Sequence, residues 1–216
     1  MRIRGKDKVP ELLHKSASLF FNPEQGSFPS EWLTAYHHVE LEVGCGRGTF
    51  LSQMASHHPT TFYIGIEKFV EIIARAATLA LDQHIENIRF IHTDIGRSLD
   101  LFPPESMHTI YLNFSDPWPR RRNEIKRLTH ARHLAVYRHI LQKNGILELK
   151  TDNSPFFDWS LQSLRKDGWV IQDVDYRVAD LAPQGEETRG KYIQTEYEQK
   201  FRRLQLPIFH AIASLN

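Results

Sequence analysis

Glu42, Gly44, Gly46 and Gly48 fall in the run Leu41-Glu42-Val43-Gly44-Cys45-Gly46-Arg47-Gly48-Thr49-Phe50. Here an apolar strand gives way to a tight glycine turn and then to the opening of a helix. Glycines at alternate positions leave no Cβ between backbone and ligand. A helix that starts there turns free N–H groups and a partial positive charge toward whatever lies over the loop. A carboxylate or a phosphate suits such a place. A dinucleotide fingerprint needs glycine at the first, third and sixth positions. Counted from Gly44 the sixth position is Thr49, which disfavours a nicotinamide enzyme and favours a nucleoside-binding loop of the kind found in methyl-transferring enzymes. A glycine-rich turn with no ligand fits the same residues.

Further along, acids recur where strands are expected to end. Glu67 lies about twenty residues past the loop, where a carboxylate can accept both hydroxyls of a ribose. Asp94 follows a third strand and can accept a hydrogen bond from an adenine amine; a cap or turn role fits it equally. Glu42 sits within an apolar strand end and must be solvated or paired, and the amine of a methionine moiety would account for it. The densest segment is Asn113-Phe114-Ser115-Asp116-Pro117-Trp118-Pro119-Arg120-Arg121-Arg122, followed by Lys126 and Arg127. The Pro-Trp-Pro turn is too stiff to be helix. An acid beside an aromatic can hold a purine, and arginines can hold the phosphates attached to it.

The elements that must position these groups alternate between strand and helix. Strands are expected at 39–43, 62–66, 88–91, 109–113 and 146–150. Helices are expected at 49–58, 70–83, 130–143 and 155–166, the third closed by Asn144-Gly145 and the fourth by Asp167-Gly168. Residues 169–176 and 192–201 read as a sixth and a seventh strand, a terminal antiparallel hairpin. This order predicts an α/β fold: a Rossmann-like, seven-stranded, mostly parallel sheet with helices on both faces and a terminal antiparallel strand. In such sheets ligands bind over the carboxyl ends of the strands. Residues 1–38 read as a basic arm (Arg2, Arg4, Lys6, Lys8) and a lead-in whose Trp32, Leu33 and Tyr36 pack on the domain formed by 39–216. A polar loop at 179–191 is expected to order over a bound nucleotide.

At 216 residues, with 41% hydrophobic and 25% charged residues, the chain has the composition of an ordinary soluble domain. It has no apolar run near the ~18 residues that span a bilayer and no secretory signal at Met1 to Lys6. The net charge of +1 does not by itself indicate a nucleic-acid binder, so any basic surface must be local. The single cysteine, Cys45, cannot form an internal disulfide, which fits the cytoplasm, and it reads as a small turn residue instead of a nucleophile. The adjacent pairs His37-His38 and His57-His58 lack the i, i+4 spacing of a helical metal site, so no metal is expected. Monomer and homodimer are equally compatible with the sequence.

Taken together, Gly44 to Gly48, Gly65-Ile66-Glu67, Asn113 to Pro119, Thr151-Asp152-Asn153 and Thr195-Glu196-Tyr197-Glu198 resemble, in order from about residue 40 to the C-terminus, the bacterial tRNA (guanine-7) methyltransferase family. The resemblance implies a class I methyltransferase fold, S-adenosyl-L-methionine as cofactor, and tRNA as partner, methylated on a variable-loop guanine. It further implies that Glu42, Glu67, Asp94 and Asp116 contact the cofactor, with Gly44 and Gly46 in the loop, and that Asp116 belongs to the active site. Asp152 and the run Thr195, Glu196, Tyr197 and Glu198 match substrate-contacting positions. The residue after Asp-Pro-Trp-Pro is commonly Lys in the family and is Arg120 here, which keeps the charge but presents a planar fork. Three other readings stay open at this point: methylation of an exocyclic base amine of RNA or DNA, an RNA-binding module without catalysis, and a nicotinamide oxidoreductase.

Overall fold

The computed structural model describes residues 6–178, 190–191 and 193–215. Within them the chain forms α1 (Val9–Lys15), α2 (Ser30–Thr34), β1 (His38–Val43), α3 (Thr49–His57), β2 (Thr61–Glu67), α4 (Val70–Asp82), β3 (Ile88–His92), β4 (Met107–Asn113), α5 (Ala131–Ile140), β5 (Leu141–Thr151), α6 (Ser154–Lys166), β6 (Val170–Asp175), α7 (Glu196–Arg203) and β7 (Phe209–Ser214). The strands make one seven-stranded sheet in the order β3-β2-β1-β4-β5-β7-β6. The chain divides after Pro103 into two compact units.

In the first unit β1, β2 and β3 pair in parallel. Every residue of β2 is buried, as expected of a strand covered on both faces by crossover helices. The apolar face of α4, Ile73, Ala74, Ala76, Ala77 and Ala80, is wholly enclosed, and its small side chains let neighbouring backbone come close. The lead-in belongs to this unit. Trp32 and Tyr36 lie against Phe62 with ring centroids 6.4 and 5.0 Å apart, and Phe21 donates its N–H to Phe90 O of β3. Residues Lys6–Lys8 form a short 3-10 turn that runs into α1, whose Lys15 pairs with Asp82 of α4 at 2.6 Å. Of the expected basic arm, Arg2 and Arg4 lie outside the described residues.

In the second unit β4 and β5 are parallel, whereas β7 runs antiparallel to both β5 and β6. Here two expectations are corrected. Residues 192–201 were expected as a strand, but α7 occupies 196–203 and the antiparallel strand is β7, farther on. Thr195 caps α7, accepting Glu198 N–H at 2.9 Å, and Glu198 pairs with Arg202 one turn later; both are helical spacings. The helix expected at 130–143 stops at Ile140. The backbone extends from Leu141, and Asn144, at a φ of 66°, lies inside β5. Met107 pairs with Leu141 and Thr109 with Ile146, so Asn144-Gly145 make a bulge within the strand, not a helix cap. The loop expected at 179–191 lies outside the described residues except for Gly190 and Lys191. No helix of the described residues is long and apolar enough to cross a membrane.

The junction of α3 and α4 shows how tightly the first unit is set. Gly48, the N-cap of α3, has a φ of 73°, and a Cβ added there would stand 2.8 Å from Ala76 Cβ. Gly48→Ala is expected to cost ~1–3 kcal/mol through overpacking in addition to left-handed strain. Thermal unfolding should show this as a melting temperature lowered by ~3–10 °C.

Candidate functional site

The first unit gathers Glu42, Gly44, Gly46 and Glu67. Gly44 and Gly46 take left-handed φ values of 79° and 55°, which glycine alone adopts without strain. The N–H groups of Gly44 and Cys45 both reach Ile66 O, at 2.7 and 3.0 Å, tying the loop to the end of β2. The next residue, Glu67, completes the tie. Its Oε1 accepts Lys68 N–H at 2.8 Å and Phe69 N–H at 3.1 Å, and its Oε2 accepts Gly46 N–H at 3.3 Å. Buried at this spot, the carboxylate is held in place by three backbone N–H groups among the described residues. An ionised carboxylate has about four acceptor positions, so capacity remains on Oε2, the more weakly used oxygen.

Between the two acids lies Cys45. Burial pushes its thiol well above the ordinary range, and the neighbouring Glu42 and Glu67 push it the same way. Asp94 follows β3 and is exposed. Its Oδ1 accepts Gly96 N–H at 2.8 Å, capping a single 3-10 turn. Thr93 N–H reaches Glu67 O at 3.2 Å, which sets Asp94 on the same strand edge as Glu67.

Asp116, Arg120, Asp152 and the Thr195 to Glu198 run belong to the second unit. Phe114 and Trp118, at φ values of 49° and 42°, bend the chain sharply as it leaves β4. That turn is held by Arg127, part of the basic run that follows it. Arg127 is buried; its Nε donates to Pro117 O at 3.0 Å and its Nη2 to Trp118 O at 3.1 Å. Its guanidinium also stacks 4.3 Å from the Trp159 ring. Asp116, Arg120, Arg121, Arg122 and Lys126 are exposed, with Lys126 Nζ 4.7 Å from the Trp118 ring.

In Thr151-Asp152-Asn153 the outer two residues serve the backbone. Thr151 Oγ1 accepts Asn153 N–H at 3.2 Å, and Asn153 Oδ1 accepts Phe156 N–H at 2.9 Å to cap α6. Asp152 is left half-exposed between them. Desolvation raises the Tyr197 phenol above its usual value, and the nearby Asp152 charge raises it further. Tyr197 is 49% exposed, its ring 5.2 Å from Phe114 and 4.9 Å from Phe201. Glu198 stands apart from its neighbours in the run: it is fully buried and ion-paired to Lys150. The side chain of Glu196 is not among those described. Arg127 and Lys150 were missed in the sequence. For Lys150 the signal was present, since Glu148 and Lys150 alternate within an otherwise apolar strand and each must find a buried partner.

Among known proteins, a family described as "Putative methyltransferase" matches residues 37–211. A tRNA (guanine-N(7)-)-methyltransferase of Bacillus subtilis is 34% identical, over 98% of this chain and 97% of its own length. Another, from Macrococcus caseolyticus, is 37% identical over 93% of each chain. Among solved structures, a 16S rRNA (adenine(1408)-N(1))-methyltransferase variant from Catenulisporales acidiphilia, determined with cosubstrate SAM, superposes with a TM-score of 0.58 at 14% identity, covering 88% of this chain and 92% of that one. At that identity the likeness concerns the fold alone.

The surroundings of Cys45 imply a thiol that stays protonated at neutral and mildly alkaline pH. Because the raised value favours the neutral form, iodoacetamide at about pH 8, near the ordinary thiol value, should label the folded protein far more slowly than the urea-unfolded chain. Equal labelling rates would contradict the enclosure.

Proposed function

The chain belongs to the tRNA (guanine-N(7)-)-methyltransferase family, and from that premise we propose that it moves the methyl group of S-adenosylmethionine to nitrogen-7 of a guanine in the variable loop of tRNA. The observation that carries this reading is the glycine loop braced by Glu67. A carboxylate preset by backbone N–H groups at the carboxyl end of a parallel strand is the arrangement a ribose diol requires. In this reading Glu67 takes the ribose hydroxyls, Gly44 and Gly46 let the backbone approach the cofactor, Glu42 answers the methionine amine and Asp94 the adenine amine.

The chemistry of the transfer explains the acids better than any base would. The cofactor methyl sits on a cationic sulfonium, while nitrogen-7 of guanine carries a lone pair and no proton. In-line attack forms the nitrogen–methyl bond as the sulfur–methyl bond breaks, leaving a neutral thioether and a positively charged purine. No proton need leave, so alignment and electrostatics supply the rate. Asp116 is the carboxylate assigned to the purine, where it favours the charge as it arrives and accepts hydrogen bonds from the guanine edge. Asp152 assists it. The exposed ring of Tyr197 beside Phe114 offers a stacking surface for an unstacked base. Arg120, Arg121, Arg122 and Lys126 supply local positive charge for tRNA phosphates, and the fork of Arg120 suits a bidentate phosphate contact. A tRNA substrate and one enclosed thiol are compatible with the cytoplasm.

Incubation with labelled S-adenosylmethionine and bulk tRNA, followed by nucleoside digestion, should yield 7-methylguanosine with its fixed charge. A product methylated on an exocyclic amine would replace this reading with the alternative one. Asp116→Ala should lower turnover ~100-fold or more while cofactor binding, measured by calorimetry, survives. Glu67→Ala should weaken cofactor binding ~10-fold or more, as expected when a charged hydrogen-bond partner is lost.

A further inference from the structure

Lys150, near the end of β5, is 0% exposed. An ammonium has three N–H donors, and here three acceptors meet it: Glu198 Oε2 at 3.1 Å and the backbone carbonyls of Gly190 and Ile193, each at 3.2 Å. Glu198 is likewise 0% exposed. While its Oε2 faces Lys150, its Oε1 faces Arg202 Nε and Nη2, both at 2.8 Å. The Glu198 N–H is taken by Thr195 Oγ1. At the other end of the segment Gly190 is pressed onto β4, where an added Cβ would stand 2.6 Å from the Tyr111 ring. One buried cation therefore gathers three points of the chain between Gly190 and Glu198, and one buried carboxylate fixes the first turn of α7.

From this geometry we infer that Lys150 and Glu198 are positioning residues: a buried clamp that sets Thr195 and Tyr197 in place for the target nucleotide, with Glu198 itself making no contact to substrate. A carboxylate enclosed on every side, with a cation on each oxygen, has no face to offer a base. Turning it outward would leave the buried Lys150 without the carboxylate it pairs with. Tyr197, its neighbour in sequence, is the half-exposed member, beside Phe114 and within the field of Asp152. The inference deepens the proposed function and rests on that reading for the identity of the substrate.

The test compares Lys150→Met, Glu198→Gln and the double variant, with the milder Arg202→Met as a flank variant that leaves the Lys150 pair intact. Amide hydrogen exchange over 193–203 should quicken ~100-fold or more in either single variant, since breaking a buried pair exposes the whole segment to opening. Arg202→Met should give a smaller increase, and β1 to β3 should exchange as in the wild type. In kinetics each single variant should raise the tRNA KM ~10-fold or more with a smaller change in kcat and an unchanged cofactor affinity. The double variant should be no worse than the poorer single one, because the two residues act as a unit. The inference is overturned if Glu198→Gln loses kcat while exchange stays at the wild-type rate, or if the losses of the two single variants multiply in the double. Either result would mean that Glu198 works on the substrate directly. If Lys150→Met does not fold, Glu198→Gln and Arg202→Met decide by the same exchange comparison. Absence of 7-methylguanosine from the wild-type reaction would defeat the functional reading alone, because exchange over 193–203 reads the clamp without any substrate.

Discussion

A carboxylate shut away from water has to be met by hydrogen-bond donors or a cation, and removing the partner of such a buried charge costs about 3–5 kcal/mol. Three buried acids of the chain meet this constraint in different ways. Glu67 meets it with three backbone N–H groups, Glu198 with Lys150 and Arg202, and Glu148 with His210, whose Nε2 lies 2.9 Å from its Oε1. The choice of partner decides what each acid can still do. Backbone donors come from one side and leave part of the carboxylate available, so Glu67 is rigid and still able to accept. Side-chain cations face both oxygens of Glu198, which is rigid and enclosed.

Parallel strands explain why capping residues collect at their carboxyl ends. Each parallel strand is followed by a crossover, and the chain leaving its carboxyl end must at once satisfy the unpaired N–H groups of a turn or a helix start. After β1 glycines do this without side chains. After β3 Asp94 caps a turn, and after β5 Asn153 caps α6. After β4 no helix follows directly, and the stiff Pro117-Trp118-Pro119 turn leaves carbonyls that need a donor from elsewhere. Arg127 supplies it from ten residues along. Local caps therefore consume Asp94 Oδ1, Thr151 and Asn153, and a polar residue at a strand end is not in itself evidence of a ligand.

The same physics sets how much of this was legible. Strands β1 to β4, with the helices between them, were readable because short apolar runs alternate with helical periodicity and glycine or proline breaks. Glu67 was readable because its distance from the loop is fixed by the length of one crossover. The last third was less so. Tyr192 to Phe201 mixes aromatic and charged residues in a way that looks alternating, and the capping signal in Thr195-x-x-Glu198 was outweighed by it. Strand β7, Phe209-His210-Ala211-Ile212-Ala213-Ser214, is almost wholly buried between β5 and β6, so it shows no alternation to find. The end of α5 was misplaced because Asn144-Gly145 signals a reversal in either a helix cap or a strand bulge, and only pairing with β4 separates the two.

Charge placement, not net charge, carries the argument for an RNA partner. The chain is nearly neutral, and a count of basic residues after β4 overstates what is available. Arg127 is sequestered under the turn, whereas Arg120, Arg121, Arg122 and Lys126 are exposed. Lys150 and Arg202 are likewise spoken for by Glu198. What remains is a short exposed basic run a few residues past the exposed Asp116, with Lys126 over the Trp118 ring. Such a run attracts phosphates only locally, so the salt dependence of binding should be modest for a tRNA ligand. In the proposed reading, discrimination then comes from a splayed base meeting Asp116, Asp152 and Tyr197. Such close recognition of one base, in that reading, requires side chains held still before the RNA arrives; Arg127 fixes the Pro117-Trp118 turn, and Lys150 and Glu198 fix the start of α7.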